Sequence, residues 1–258
     1  MDAALRCVAK EKGVVSRRFV LKVEIWSDVV CPWCYIGKRR FEAALERFPR
    51  RDEVEVEWKA FELDPTSTSG SRSEAGSHAK HISTKYRVDL AEAQGMLDNV
   101  TANAAAEGLE VHFEKAVGAN TFDAHQVIHL GGVHGVQDAV KERLLRAYFI
   151  EGEAVGDRET LIRLAEEAGL VPAEVRSALD TQQYAAAVRR EENEARELGI
   201  TGVPFFVIER KYGVSGAQPA DALLEVLEQV WAEDHPAPKL TPVGGGGGQA
   251  CGPEGCPV

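Results

Sequence analysis

Two cysteines separated by two residues, in Cys31-Pro32-Trp33-Cys34, form the segment of this sequence best suited to do chemistry. The segment lies where a strand pattern changes to a helical one, so Cys31 is predicted at a helix N-terminus. The first backbone N–H groups of a helix have no intrahelical partners and carry partial positive charge. A thiol placed there ionises more easily, and the thiolate is the form that attacks disulfides. Spacing and position together predict a dithiol–disulfide exchange centre.

The two sulfurs are expected to differ in role because they lie at different depths. Cys31, at the helix end, can meet solvent and the unpaired amides, which favours it as the nucleophile. Cys34 lies about one turn further in, which favours it as the resolving thiol that releases a mixed disulfide. Pro32 suits the first helical position because its missing N–H would be unpaired there anyway.

A second cysteine pair, Cys251 and Cys256, follows a run of glycines near the end of the chain. Half of the residues over 235–258 are glycine or proline, a composition typical of a flexible tail. A glycine-rich tether of about eight residues spans roughly 15 Å on average and at most about 27 Å. We therefore expect a second redox pair that exchanges electrons with the first. An inert or regulatory tail is one alternative, and zinc bound by the two pairs together is another.

A third chemical signal is Thr201-Gly202-Val203-Pro204, at the start of a later strand. Proline at this position removes a ladder hydrogen-bond donor, and its peptide bond can be cis. Near a redox pair it would leave the backbone of Val203 free to pair with an extended substrate. Val203, Pro204 and Trp33 are therefore candidate substrate-binding residues, although an ordinary strand start remains an alternative for the proline.

Three further polar residues are candidates to line the site: Asp28, Asn120 and His125. Asp28 precedes Cys31 by three positions and could either orient the loop or cap a turn. Asn120 and His125 could reach the site from a helical segment. The alternative is a helix-capping asparagine and a surface histidine.

The elements that must position these residues follow the order β-α-β, then a long helical block, then β-β-α. A strand–helix–strand unit implies a parallel pair, and the later hairpin adds antiparallel edges. Helix-start signals occur at Asp89 with Glu92, at Phe122, Gln137, Asp157, Pro172 and Tyr184. The pattern predicts a mixed α/β fold with a large inserted helical domain. The expected divisions are an extension over 1–18, one domain from 19–73 and 200–233, the inserted helices over 74–199, and the tail over 234–258.

Composition narrows the class of protein. The chain has 258 residues, 44% hydrophobic and 28% charged, with a formal net charge of −11. That charge argues against a nucleic-acid surface, which needs clustered Lys and Arg. No apolar run resembles a secretory leader or a membrane span, so we expect a cytoplasmic protein with no membrane partner. In that compartment reactive or metal-binding cysteines are more common than structural disulfides; the remaining cysteine, Cys7, has no evident role.

These residues resemble the FrnE-type branch of the DsbA family, which are thioredoxin-fold proteins with a helical insertion. The resemblance covers roughly residues 19–233. It is carried by the run Ser27-Asp28-Val29-Val30-Cys31-Pro32-Trp33-Cys34-Tyr35-Ile36-Gly37, by Gly202-Val203-Pro204, and by the segment over 120–125. It implies a thiol–disulfide oxidoreductase or isomerase acting on protein disulfides, with Cys31 and Cys34 catalytic and Pro204 in cis. No cofactor is implied beyond the redox-active disulfides, with glutathione or a thioredoxin-type protein as a candidate electron partner.

Two departures limit what the resemblance implies. Secreted DsbA enzymes have histidine where this chain has Trp33, and they carry a signal peptide, so strongly oxidising behaviour is not implied here. The related 2-hydroxychromene-2-carboxylate isomerases and kappa-class glutathione transferases usually have serine where Cys31 stands. Cys31 therefore argues against glutathione conjugation. The direction of the redox reaction, its substrate and the oligomeric state are not given by the sequence.

Overall fold

A four-stranded sheet and the helices around it make up the part of the chain that the computed structural model describes, residues 20–68 and 77–235. Cys7, Cys251 and Cys256 lie outside these ranges. The elements, in order, are β1 (Leu21–Ser27), α1 (Pro32–Arg47), β2 (Val54–Ala60), α2 (Ser77–Tyr86), α3 (Leu90–Ala106), α4 (Phe122–Val133), α5 (Gln137–Arg146), α6 (Arg158–Glu167), α7 (Pro172–Asp180), α8 (Ala185–Glu197), β3 (Phe205–Ile208), β4 (Tyr212–Ser215) and α9 (Ala220–Asp234). The predicted mixed α/β fold with a helical insertion is confirmed.

The sheet has the strand order β2-β1-β3-β4. β1 pairs with β2 in parallel, with Ser27 opposite Ala60 at the carboxyl end. β1 pairs with β3 antiparallel, with Ile25 opposite Phe206, and β3 pairs antiparallel with β4. The predicted parallel pair and hairpin are confirmed. β1 is therefore a central strand, and its last residues deliver the chain directly into the cysteine segment.

Side chains of β1 alternate between two covered faces of the sheet. Val23 and Ile25 are fully buried in the main core, where Phe41 of α1 contacts Phe206 with ring centroids 5.6 Å apart. Trp26 faces the other way and donates from Nε1 to the backbone oxygen of Glu191 in α8, at 3.0 Å. Burying a large apolar side chain contributes roughly 1.5–3 kcal/mol. Both faces therefore help to hold β1, and with it the start of α1, in place.

The inserted helices begin where the capping residues predict. Asp89 accepts a hydrogen bond from Glu92 N at 2.8 Å, and Asp157 accepts one from Thr160 N at 2.9 Å. Pro172 is the first residue of α7. The two aspartate side chains satisfy N–H groups that have no partner inside the helix.

The insertion docks on the free edge of the sheet through Gln137, the first residue of α5. Its Oε1 accepts from Trp58 N at 2.9 Å and its Nε2 donates to Trp58 O at 3.0 Å. One side-chain amide thus pairs both backbone groups of an edge residue, as a neighbouring strand would. This contact brings α5 beside the sheet, close to the end of β1.

The last helix, α9, extends through Asp234, and the ring of His235 stacks on Trp231 with centroids 3.9 Å apart. The apolar stripe of α9 continues through Val230, which is buried, so the helix carries on beyond the residue where its pattern fades. Within the described ranges, no helix is both long enough and apolar enough to cross a membrane.

Candidate active site

The cysteine segment lies at the start of α1, as predicted. Cys31 is the N-cap with φ −95° and ψ 113°, and Pro32 is the first helical residue. Cys34 N donates to Cys31 O at 3.0 Å, which closes the first turn. Cys34 is fully buried, and Cys31 is only 4% exposed. The expected difference in depth exists but is small, because a later loop covers Cys31.

That covering loop contains Val203 and Pro204, whose peptide bond is cis. Val203 O lies 3.5 Å from Cys31 Sγ, which can donate to it as a thiol. Gly37 of α1 permits this closeness, because a Cβ added there would lie 2.8 Å from Pro204 Cγ. Trp33 is half-buried against the edge of the main core. The structure thus brings Val203 and Pro204 to the cysteine pair from about 170 residues away along the chain.

Asp28 is a fully buried carboxylate at the exit of β1. Its Oδ1 accepts from Val29 N at 2.7 Å and its Oδ2 from Leu63 N at 2.8 Å. Burial opposes its ionisation, but the hydrogen bond and charge of His125, the N–H of Leu63 and the charge of Lys141 outweigh burial and lower the pKa of Asp28. Asp28 is therefore ionised at neutral pH, and it ties the loop before Cys31 to the segment after β2.

His125 lies inside the protein, so the surface alternative for this residue is wrong. It is 1% exposed in α4, and its Nε2 lies 3.4 Å from Asp28 Oδ1. Asn120 is placed to hold the start of α4: its Oδ1 accepts from Phe122 N at 3.1 Å, and its Nδ2 donates to Pro65 O at 3.3 Å. Of the two, His125 contacts the buried carboxylate, whereas Asn120 anchors the helix that carries it.

Sequence reasoning missed Lys141, which is 1% exposed in α5. Its Nζ donates to Ser27 O at 3.3 Å and lies 5.6 Å from the centroid of the Trp58 ring. The available signal was its spacing: Lys141 lies four residues before Leu145, so it shares the apolar face of an amphipathic helix. A lysine on that face brings a positive charge to the carboxyl end of β1.

Each thiol changes the ionisation of the other. Interaction with Cys34, together with burial, raises the pKa of Cys31 well above its usual value. Burial also opposes ionisation of Cys34, but the hydrogen bond from Cys31, the charge of Lys141 and the hydroxyl of Ser27 outweigh it and lower the pKa of Cys34. The two thiols therefore titrate as one pair, and the reduced pair that has lost its first proton shares the remaining one between the two sulfurs.

Comparison with known proteins gives the family. The model of the DSBA-like thioredoxin domain matches residues 22–228. The uncharacterised protein YwbO of Bacillus subtilis is 31% identical over 188 residues, which is 72% of this chain and 86% of that protein. A probable DsbA oxidoreductase from Streptomyces coelicolor, of known crystal structure, is 44% identical with a TM-score of 0.76, over 92% of this chain and 99% of that one.

A more distant structure shares the fold. The cytosolic disulfide reductase DsbM from Pseudomonas aeruginosa, solved with GSH, is 19% identical with a TM-score of 0.56 over 81% of this chain and 98% of that one. The match to the family model spans both halves of the sheet, the cysteine segment and the whole helical insertion. The chain belongs to the DSBA-like thioredoxin domain family and is a thiol–disulfide oxidoreductase.

Proposed function

We propose that the chain exchanges disulfides with protein substrates through Cys31 as nucleophile and Cys34 as resolving thiol. One observation carries the proposal. Cys31 stands at a helix N-cap with its sulfur 3.5 Å from Val203 O, while Cys34 lies fully buried behind it. Cys31 retains a small exposed fraction that an incoming disulfide can meet, whereas Cys34 is fully enclosed.

Exchange proceeds in two balanced steps. The proton shared by the sulfurs moves to Cys34, and the Cys31 thiolate attacks one sulfur of the substrate disulfide. The substrate S–S bond breaks, one substrate thiolate leaves, and a mixed disulfide forms. Cys34 passes its proton to that departing substrate thiolate and, now a thiolate itself, attacks Cys31 Sγ. The Cys31–substrate bond breaks, the Cys31–Cys34 disulfide forms, and the second substrate sulfur leaves as a thiolate. The substrate gains two electrons and the pair loses two; the reverse sequence oxidises a dithiol.

The backbone beside Pro204 provides the binding surface for the substrate. Val203 precedes β3, so an extended peptide laid beside it can pair with its backbone groups in the manner of an added strand. Trp33, half-buried next to Cys31, offers an apolar surface at the same place. We assign substrate contact to Val203, Pro204 and Trp33. We further propose that the cysteine pair exchanges its electrons with glutathione or a thioredoxin-type protein in the cytoplasm.

The test is reduction of insulin disulfides together with reactivation of scrambled ribonuclease. Cys31→Ser should abolish both activities, and Cys34→Ser should accumulate the mixed disulfide. Cys7→Ser is the matched control and should keep full activity. Full activity of Cys31→Ser would overturn the assignment, and so would a Cys34→Ser protein that never forms a mixed disulfide.

The second candidate is a zinc- or thiol-binding module with a sensing role. The spacing of Cys31 and Cys34 is also found in zinc sites, which need two further ligands. Cys251 and Cys256 would have to supply them. Stoichiometric zinc in protein purified without chelator, lost in a Cys251→Ser, Cys256→Ser variant, would favour this candidate over exchange.

The C-terminal pair gives the exchange proposal a further step. We propose that Cys251 and Cys256 relay electrons to or from Cys31, because a glycine-rich tether connects them to the folded chain. A Cys34→Ser protein should then trap a Cys31–tail disulfide, identified by peptide mass. If no such species forms at any glutathione ratio, the tail does not serve the first pair.

A further inference from the structure

Lys141 is a buried lysine that contacts few opposite charges. Its side chain is fully enclosed, and its one hydrogen bond in the described part of the chain goes to the uncharged carbonyl of Ser27, at 3.3 Å. No carboxylate oxygen of the described residues lies within 4.0 Å of its Nζ. Burial lowers the pKa of Lys141, whereas the negative charges of Cys34, Asp28 and Cys31 raise it. The ammonium form of Lys141 is therefore favoured when one of these neighbours carries a negative charge.

Lys38 shows what full compensation looks like in the same region. It is equally enclosed, at 2% exposed, and lies 5.9 Å from the centroid of the same Trp58 ring. Three carboxylates surround it: Glu42, Asp138 at 3.1 Å and Glu142 at 3.3 Å. The two lysines therefore have similar burial and share a neighbour, but they differ in the anions that face them.

The groups around Lys141 leave the cysteine pair as the variable anion. Its nearby charges come from Asp28 after β1, from Cys31 and Cys34 at the start of α1, and from Lys38 further along α1. Asp28 is itself engaged by two backbone N–H groups and approached by His125, and Tyr148 packs near it from the turn after α5. Asp28 is a constant charge. The cysteine pair is neutral as a disulfide and carries one negative charge as a thiol–thiolate.

We propose that Lys141 is a positioning residue that holds the thiolate of the reduced Cys31–Cys34 pair and thereby makes the pair a stronger oxidant. The inference rests on the proposed function, since it needs this pair to cycle between disulfide and dithiol. Reduction adds two electrons to the S–S bond. With one sulfur left as a thiolate opposite Lys141, reduction takes up one proton rather than two. The ammonium favours that product and has no comparable partner in the disulfide.

The experiment measures the equilibrium constant between the pair and glutathione in Lys141→Met, from pH 6 to pH 8. Methionine keeps most of the volume and apolar length of the lysine stem but removes the charge. We expect the reduced form to be disfavoured about tenfold at pH 7, which is about 30 mV for this two-electron couple. The difference should grow with pH, because deprotonation of the wild-type pair is what Lys141 stabilises. The thiolate absorbance of the reduced variant should also appear at higher pH.

Lys38→Met is the matched control, and its equilibrium constant should stay within about threefold of the wild-type value. A Lys141→Met protein that folds and matches the wild-type constant within twofold at every pH would overturn the inference. Should that variant not fold, the wild-type protein decides: the Nζ and Cε resonances of Lys141 must move on reduction by more than those of Lys38. Failure of the proposed function looks different, because wild-type protein would then form no Cys31–Cys34 disulfide at any glutathione ratio.

Discussion

The face of the sheet that α8 covers and the carboxyl end of β1 both bury charged groups, yet they compensate them to different degrees. Under α8, Lys59 lies 3.5 Å from Glu24 and 3.4 Å from Glu191. Glu191 also accepts from Ala60 N at 2.7 Å and contacts His129 Nε2 at 3.0 Å. Each buried charge in this network has several opposite charges or N–H donors.

The carboxyl end of β1 is satisfied less completely. His125 Nε2 lies as far as 3.4 Å from Asp28 Oδ1, and among the described residues Lys141 hydrogen-bonds only to the backbone carbonyl of Ser27, at 3.3 Å. A network in which every buried charge has its opposite charges and hydrogen-bond partners keeps the same protonation states and stabilises the fold. A partly satisfied one responds when a new charge forms, which is what ionisation of a cysteine pair supplies. The difference separates a structural charge cluster from a reactive one.

The strongest test of the difference between the two regions is to replace one carboxylate by an amide in each of them. Asp28→Asn places an NH₂ group against one of two backbone N–H donors and should lower the free energy of unfolding by about 2–4 kcal/mol. It also removes the charge facing the cysteine pair, so the rate of disulfide exchange should change tenfold or more. Urea unfolding and stopped-flow reaction with a disulfide substrate measure the two effects.

Glu191→Gln is the partner variant for that measurement. It should lower stability by about 1–3 kcal/mol, because a buried ion pair loses one member. The rate of disulfide exchange of this variant should stay within twofold of wild type, because Glu191 interacts with Lys59, His129 and Ala60 N under α8. Equal changes in exchange rate for the two variants would remove the distinction between the regions.

Steric closeness provides a second comparison, between two helical glycines. Gly37→Ala should cost about 1–3 kcal/mol and slow exchange, because the added methyl would meet Pro204 Cγ at 2.8 Å. Gly95→Ala in α3 meets nothing within 4 Å and should raise stability by about 0.5–1 kcal/mol with unchanged activity. Thermal unfolding and an insulin-reduction assay check both. A Gly37→Ala protein as active as Gly95→Ala would mean that Pro204 need not approach α1 so closely.

The smallest effect concerns Glu62, a buried carboxyl just after β2. Burial and the neighbouring Glu192 raise the pKa of Glu62 to about 7, although Arg189 Nη1 lies 2.5 Å away and opposes the shift. The folded protein thus binds this proton more tightly than the unfolded chain. The stability that the proton contributes is fully present below pH 4.5 and is lost as pH rises through 7.

Glu62→Gln should therefore match wild type near pH 4.5 and exceed its free energy of unfolding by about 1 kcal/mol at pH 8. Urea unfolding at both pH values gives the difference directly. Glu62→Asp is the control, because it keeps the titration and should keep the pH dependence. A constant difference between Glu62→Gln and wild type across this range would show that Glu62 does not titrate there.

Most elements of the fold were predictable because their signals are local. β-branched and aromatic residues mark β1, alternating residues mark β2, Pro32 marks the start of α1, and Asp89 and Asp157 cap their helices as expected. The predicted strand pairing followed from connection rules that limit how consecutive elements can pack. The roles of Cys31, Cys34, Val203 and Pro204 remain predictions, as does that of the tail pair.

The burial of single polar residues was not predictable from the same signals. The sequence leaves a surface position open for His125 and does not single out Lys141, yet each is about 1% exposed. A helical or strand pattern says which residues share a face, but not which charged side chain finds a partner on another element. That depends on contacts between distant segments.

By itself the sequence determined the reactive spacing of Cys31 and Cys34 and their place at a helix start, because both depend on a few adjacent residues. Only the tertiary structure decided the electrostatics of that pair. Lys141 meets Ser27 across 114 residues of sequence, and His125 meets Asp28 in a similar way. The position of α5 against β1 results from the packing of the whole insertion on the sheet edge, so no local pattern could specify which charge faces the sulfurs.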